Sequence, residues 1–405
     1  MNLWQTNLLR VSYGSLSSME KKYIALLSLI LGVFVFVCSL EGVKDSFKLI
    51  SHEWIGSLLS LVESRKAPLT GLALGVLITS TVHSSSAVIA TTMVSMAGLV
   101  ASGLPLSTAV SFGVPLVMGA NMGTTVTSTM VALGVKKGMT EEEFNASIPG
   151  ALIDDVVKSL NISLFFVLEV TTGFLSKTIT WLTSFLTGVF ELETFFAMFE
   201  KGIVDILIKE PITEPISKIF SDFLGFGAGG TILLVLWFLG ITLALYVLEK
   251  SIQTLIRLPK FEKVVFATFK SPIKSFAAGL GLTFIVGSSG VTTSLMIPLL
   301  ATSMVSLEEV YPYVLGTALG TTIDLSQIYG YVAGGMMGMT LGLAHVLLNV
   351  FGLIIWFLLP LKAVPIAIAR KIGASIASHK QSYLYLIGFV IMIFFIMPLA
   401  IIFLL

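Results

Sequence analysis

Apolar runs alternate with short polar breaks along the whole chain. The runs lie near 23–40, 69–82, 86–101, 106–134, 151–175, 178–198, 227–249, 275–287, 291–305, 310–338, 339–360 and 383–405. A helix needs about 20 residues to cross a hydrocarbon core of ~30 Å. Several runs reach that length. The pairs 69–82 with 86–101 and 275–287 with 291–305 do not, and each is interrupted by polar or glycine residues. Short, broken pairs at matching places in two halves predict re-entrant helical hairpins that stop near the membrane midplane.

The two halves match in order. With Ala67-Pro68 laid over Ser271-Pro272, an offset of 204, His83-Ser84-Ser85-Ser86 falls on Gly287-Ser288-Ser289-Gly290. Further on, Gly119 to Thr125 (G-A-N-M-G-T-T) falls on Gly316 to Thr322 (G-T-A-L-G-T-T) at an offset of 197. Each is followed by an apolar segment with polar groups at i, i+4: Asp154 and Lys158, then His345 and Asn349. Two motifs repeated in the same order are a stronger signal than one serine-rich run. The expected fold is an all-α polytopic membrane protein. It has two inverted repeats, each with a re-entrant helical hairpin and a broken transmembrane helix. The expected division is 1–44 for the first span and 45–200 for the first repeat, with a hairpin at 69–101 and a broken helix at 106–134. An external linker at 201–226 follows. The second repeat is 227–380, with a hairpin at 275–305 and a broken helix at 310–338, and a last span covers 381–405.

Composition strengthens the membrane reading. The mean hydropathy is +0.97 and only 12% of residues are charged. Lys and Arg number 24 against 23 acids, so no global field points to nucleic acid. The single cysteine, Cys38, excludes a disulfide framework and a Cys-rich metal site. The run after Lys21-Lys22 is too long for a signal-peptide core and reads as an uncleaved first span. No G-x-x-x-x-G-K-[ST] occurs, so uphill work would draw on an ion gradient or a partner. Basic residues cluster in 250–274 and 362–380, and acids dominate 191–222. That bias predicts cytoplasmic and external loops respectively, with the two hairpins entering from opposite sides.

The hydroxyl motifs carry the chemistry. From Ile78 to Ser95, 9 of 18 residues are Ser or Thr. A helix that begins inside a membrane exposes unpaired N–H groups and partial positive charge, which suit an anion; its C-terminal end suits a cation. Hydroxyls donate to an oxyanion or accept toward Na⁺. The bland alternative is a hydroxyl bonding back to the i−4 carbonyl or lining a helix contact; it fits a lone serine run better than a repeated pair of motifs. No Lys or Arg lies inside the motifs, so anion binding is expected to rest on N–H dipoles, hydroxyls and co-bound cations. Asp324 is an intramembrane carboxylate placed to complete a cation site, and its counterpart in the first half is Thr127. The i, i+4 spacing of Asp154 and Lys158 predicts a local ion pair. His83 adjoins the first serine run. A serine hydrolase built on His83 and Ser84 and a passive anion channel are the rival readings.

The motifs resemble those of the type II sodium-dependent phosphate cotransporter family, which carries two Q-S-S-S motifs, each followed by G-x-N-x-G-T-[ST]. The second half is similar through G-L-T-F-I-V-G-S-S-G-V-T-T-S-L-M-I-P-L, E-E-V-Y-P-Y-V-L-G-T-A-L-G-T-T and A-H-V-L-L-N-V-F-G-L-I-I-W. The first half is similar through V-H-S-S-S-A-V-I-A-T-T-M-V-S-M and P-L-V-M-G-A-N-M-G-T-T-V-T-S-T. The resemblance implies Na⁺-coupled uptake of inorganic phosphate by alternating access in a cell membrane, with Na⁺ as coupling ion, no organic cofactor and no enzymatic activity. It implies phosphate contacts from Ser84, Ser85, Ser86, Asn121, Ser288 and Ser289. Sodium contacts are implied from Thr124, Thr125, Thr317, Thr321 and Asp324, and coupling or gating roles for His83, Thr292, Thr293, Asp154 and Asp155. The chain departs from the family pattern at His83 and Gly287 for Gln, Gly290 for Ser, Ala318 for Asn, Asp324 for Thr, and Asp154-Asp155-x-x-Lys158 for His-Asp-x-x-Asn. Arsenate or sulfate as substrate, and H⁺ as coupling ion, stay open.

Overall fold

The structure, a computed structural model, describes residues 18–49, 66–136, 139–190, 209–256, 268–301, 303 and 305–404. The 191–208 part of the acid-rich stretch, which includes the start of the expected linker, and the 257–267 part of the basic segment lie outside the described residues. Every described element is helical. In chain order they are α1 (Ser18–Leu49), α2 (Ala67–Val82), α3 (Ser85–Ala101), α4 (Leu106–Gly123), α5 (Val126–Val135), α6 (Glu141–Thr172), α7 (Phe174–Phe190), α8 (Glu214–Leu224) and α9 (Phe226–Ile256). Then come α10 (Pro272–Val286), α11 (Ser289–Ser294), α12 (Ile297–Ala301), α13 (Leu307–Gly320), α14 (Leu325–Leu353), α15 (Ala363–Ala377), α16 (Ser382–Ile391) and α17 (Met397–Leu404).

Among the described residues, four stretches have the length and apolar character to cross a membrane: Tyr23–Val43, Leu106–Gly134, Ser326–Leu358 and Ser382–Leu404. The third is not one rod. Gly335 sits inside α14 at φ +53, where only glycine is unstrained. A Cβ on Gly342 would strike the ring of Tyr331, at 1.7 Å. Residues eleven apart in a straight helix lie ~16 Å apart along the axis. The chain therefore folds back at Gly335, and α14 is two limbs.

Glycines set how each short helix meets its partner. α2 runs along α4 and α10 along α13. A Cβ on Gly119 would lie 2.0 Å from the Leu72 carbonyl oxygen, and one on Gly75 2.2 Å from that of Leu116. At the corresponding positions, a Cβ on Gly316 would lie 2.1 Å from the Phe276 oxygen, and one on Gly279 2.2 Å from that of Tyr313. Backbone meets backbone in both pairs, so no side chain can be accommodated, a contact style suited to helices in lipid.

The second short arms cross over. α3 packs on α14, while α11 and α12 pack on α5 and α6. Each half thus lays one arm on its own broken helix and the other arm on the opposite half. The largest apolar core, around Ile89, Met93, Val114, Met118, Leu341 and Leu348, fills the seam where α3, α4 and α14 meet. A second core joins α6, α12, α13 and α15 through Val157, Leu300, Val310, Tyr313 and Ala369.

Helix ends are closed locally. Thr140 and Glu143 form a reciprocal capping box at the start of α6, with Glu143 N donating to Thr140 Oγ1 at 3.2 Å and Thr140 N to Glu143 Oε2 at 2.7 Å. Ser306 and Glu309 do the same for α13. Glu169 turns the corner into α7 by accepting from Leu175 N at 2.7 Å and Ser176 N at 3.0 Å. At the exposed surface Arg370 pairs with Glu308 at 2.7 Å.

Candidate binding site between the two halves

The two serine runs form the same local structure. α2 ends with His83 N donating to Thr79 O at 2.7 Å, and α10 ends with Gly287 N donating to Thr283 O at 2.8 Å. His83 stands at φ +62 and Gly287 at φ +69. Each end turns through left-handed backbone into an extended serine, Ser84 or Ser288, which caps the next helix. Ser84 Oγ accepts from Ala87 N and Ser288 Oγ from Val291 N, both at 3.4 Å. Ser85 and Ser289 open α3 and α11 and are buried. The arm behind the second tip departs from the sequence expectation. The expected continuous arm at 291–305 is two short helices, α11 of 6 residues and α12 of 5, separated at Leu295-Met296.

The long helices break at the threonine motifs. α4 ends at Gly123, Thr124 and Thr125 form the turn, and α5 begins at Val126. In the other half α13 ends at Gly320 and α14 starts after its N-cap, Asp324. Asp324 Oδ1 accepts from Gln327 N at 3.0 Å, which fits an Asp at an N-cap. Thr125 Oγ1 makes a short hydrogen bond to Asp155 Oδ1, and Thr129 Oγ1 donates to Oδ2 at 3.1 Å. Asp155 therefore ties the first break to α6. In the second half, Thr317 and Thr293 hydroxyls meet at 3.1 Å, and Thr292 meets Thr283 at 2.7 Å. Thr321 Oγ1 turns back to Ala318 O at 2.7 Å.

Each tip faces the break of the other half. Ser86 Oγ reaches Thr321 O at 3.4 Å, and Gln327 Nε2 donates to Ser86 O at 2.7 Å. The Ser86 hydroxyl also neighbours the Asp324 carboxylate. On the other side a Cβ on Gly290 would approach Thr127 Cβ to 2.6 Å and Thr124 O to 3.1 Å. A serine in that backbone position would collide, which accounts physically for glycine there. His83 Nδ1 lies 3.3 Å from Thr127 Oγ1. Thr127 thus touches both tips. The partner of His83 is this threonine; the imidazole–serine hydrogen bond that a hydrolase would require is not formed among the described residues.

Charge enters from outside the motifs, within which no Lys or Arg lies. Lys158, on α6, pairs with Asp154 Oδ2 at 3.0 Å, and its Nζ lies 3.5 Å from Ser289 Oγ. The i, i+4 pair follows from spacing; the reach to Ser289, 131 positions away, does not. Asn121 Nδ2 donates to Asn349 Oδ1 at 3.2 Å, and His345 Nδ1 lies 3.3 Å from Gln327 Oε1. The motif residues in α4, α6 and α14 leave buried oxygens without hydrogen-bond partners among the described residues: Asn121 Oδ1, Thr124 Oγ1, Asp154 Oδ1 and Asp324 Oδ2. Buried polar atoms are normally satisfied, and carboxylate, amide and hydroxyl oxygens are the donor set of a hard cation. Sequence reasoning also passed over Glu41, which accepts from Tyr329 Oη at 3.1 Å, and Asp45, which accepts from Thr213 Oγ1 at 2.8 Å. Both are buried acids in the first apolar helix, a rarity in lipid that is visible in the sequence.

Comparison with known proteins agrees with the motif order. Residues 35–198 and 241–401 match the family described as Na⁺/Pi-cotransporter. The chain is 26% identical over 421 residues to sodium-dependent phosphate transport protein 2A of Rattus norvegicus, covering 88% of this chain and 64% of that protein. It is 27% identical over 458 residues to sodium-dependent phosphate transport protein 2B of Homo sapiens, covering 93% of this chain and 64% of the relative. The chain thus spans about 64% of the length of the curated relatives it matches. No solved structure matches it. Two matched blocks, one holding each pair of motifs, cover most of the sequence, and the chain belongs to the Na⁺/Pi-cotransporter family.

Proposed function

We propose that this protein couples inward Na⁺ movement to uptake of inorganic phosphate across a cell membrane. One observation carries the reading: two serine-capped helix starts each pack against the threonine break of the opposite half, among buried oxygens that lack partners among the described residues. Phosphate lies between the tips, held by Ser84, Ser85 and Ser86 on one side and Ser288 and Ser289 on the other, with Asn121 beside them. Na⁺, as cargo, takes the oxygens of Thr124, Thr125, Thr317, Thr321 and Asp324. A hard cation suits those oxygens, and its charge offsets the cost of burying a phosphate dianion.

The pairs α2–α3 and α10–α12 are read as re-entrant hairpins entering from opposite faces, and the halves as inverted repeats in a multi-pass fold. The boundaries are those expected from sequence: 45–200 and 227–380, with single spans at 1–44 and 381–405. Alternating access then follows from moving the hairpin of one half against the break of the other. His83, Thr292, Thr293, Asp154 and Asp155 are assigned coupling or gating roles in that movement. Membership of the Na⁺/Pi-cotransporter family and similarity to sodium-dependent phosphate transport proteins support phosphate and sodium over other oxyanions and protons.

The test is uptake of labelled phosphate by the purified protein in proteoliposomes, under an inward Na⁺ gradient and under K⁺ or choline. Accumulation that requires Na⁺ and is lost in Ser85→Ala and Ser289→Ala is the expected result. Equal uptake in choline would indicate a passive channel; no uptake by folded protein would redirect the search to H⁺ and to arsenate or sulfate.

A further inference from the structure

Lys158 is 3% exposed and its partner Asp154 is 1% exposed. A buried ion pair stabilises a fold only when its remaining lone pairs and protons are satisfied. This one is open: Asp154 Oδ1 has no hydrogen-bond partner among the described residues. The ammonium has instead a second oxygen, Ser289 Oγ, at the long distance of 3.5 Å. A donor held at that distance is poised to close on a shared acceptor.

The two tips differ in what stands behind them. α3 supplies 17 residues of aligned peptide dipoles to the first tip. α11 supplies 6, fewer than two turns, to the second. The repeat register offers the reason a lysine can be present. Asp154 and Lys158 occupy the i, i+4 places that His345 and Asn349 occupy in the other half. Asn349 bonds to Asn121. The counterpart of Asn121, at an offset of 197, is Ala318, which has no amide to repeat that bond.

We infer that Lys158 is a substrate-binding residue: its ammonium is a built-in cation that anchors the oxyanion at Ser289, so that the second half-site carries positive charge without cargo Na⁺. The inference rests on the phosphate reading above. Loading moves the ammonium from Asp154 and the distant Ser289 hydroxyl to a bridge between Asp154 and a phosphate oxygen, a charge-assisted contact of the strong kind. Nothing covalent changes. Arsenate, of the same shape and charge, uses the same contact.

The test is equilibrium binding of labelled phosphate to the purified full-length protein in nanodiscs, at saturating Na⁺ and in choline. Four proteins are compared: wild type, Lys158→Met, Asp154→Asn with Lys158→Met, and Asp154→Asn. Lys158→Met strands a buried carboxylate and is expected to lose thermal stability. The double variant removes both charges and is expected to regain it. Phosphate affinity should nonetheless fall about tenfold or more in both variants lacking the lysine, and binding in choline, weak but measurable in wild type, should vanish. Asp154→Asn, which keeps the ammonium but removes a carboxylate proposed for gating, should lose less phosphate affinity than Lys158→Met. A double variant that is stable and binds like wild type overturns the inference and leaves a structural ion pair. So does an Asp154→Asn variant that loses as much affinity as Lys158→Met. A folded wild type that binds no phosphate in either medium overturns the phosphate reading and this role together. Intact wild-type binding distinguishes the first two failures from the third.

Discussion

The tip at Ser84–Ser86 and the tip at Ser288–Ser289 share a backbone and differ in charge. The first is met by a carboxylate, Asp324, through Ser86; the second is met by an ammonium, Lys158, through Ser289. Both charges come from the half opposite the tip they face. Symmetry of sequence therefore sets where the tips are, and broken symmetry sets what each can hold. A dianion beside Asp324 needs a cation between them, because two buried negative charges at short range repel strongly. A dianion beside Lys158 does not. On the proposed scheme Asp324 calls for a cation at the first tip and Lys158 adds a resident charge at the second, beside the Na⁺ proposed at Thr124 and Thr125, and the comparison can be broken in graded steps.

The largest effect is expected where the halves are most alike. Gly119→Ala and Gly316→Ala each place a methyl against a backbone oxygen at 2.0 and 2.1 Å, with no flexible side chain to yield. Overpacking of this kind costs about 1–3 kcal/mol, and a rigid backbone contact belongs at the upper end. Both variants should lose thermal stability by similar amounts in detergent-solubilised protein. A large loss in one and none in the other would mean that the two short helices are not held alike.

Next in size is Asp324→Asn. It keeps the N-cap, since Asn serves that position as well as Asp, and removes one charge. Half-saturating Na⁺ for phosphate uptake should rise by about tenfold, the scale of one charge-assisted contact. Uptake with unchanged Na⁺ dependence would place the cation elsewhere. A smaller step is Gly290→Ala, which brings a methyl into Thr127 Cβ. A loss of about 1–2 kcal/mol should be largely recovered in combination with Thr127→Gly, which removes the opposing atom. Unfolding midpoints of the two singles and the double measure the coupling.

The repeat, the helix breaks at Gly123 and Gly320, and the tips at His83 and Gly287 were legible because glycine, serine and threonine recur at fixed offsets. Local spacing also foretold the Asp154–Lys158 pair. Long-range reach was not legible. Nothing in the order of residues says that Lys158 meets Ser289, or that Thr127 lies between His83 and Gly290. Those contacts depend on the second arms crossing between halves, a matter of three-dimensional packing. The reversal at Gly335 was hidden in an apolar run because a glycine in such a run has the same composition whether it bends or not. The division of the second arm into α11 and α12 was likewise masked by apolar residues at Leu295 and Met296.

The smallest effect concerns the acid sides of the two capping boxes. Glu143 opens α6 and Glu309 opens α13. Hydrogen bonds from the backbone N–H and hydroxyl of Thr140 hold the Glu143 carboxyl below the ordinary glutamate range, and those of Ser306 do the same for Glu309. A carboxyl depressed in the folded state favours folding above its unfolded pKa, and that contribution fades as pH falls through the folded value. Both glutamates lie near the helix surface, so solvent screens much of the effect. Glu143→Gln with Glu309→Gln keeps a side-chain acceptor at each cap and removes the titration. At neutral pH the double variant should unfold at a slightly lower temperature than wild type. The gap should close as pH drops below the glutamate range, because wild type then loses what the variant never had. A gap that stays constant with pH would assign the difference to cap geometry, and the two charges would have no part in it.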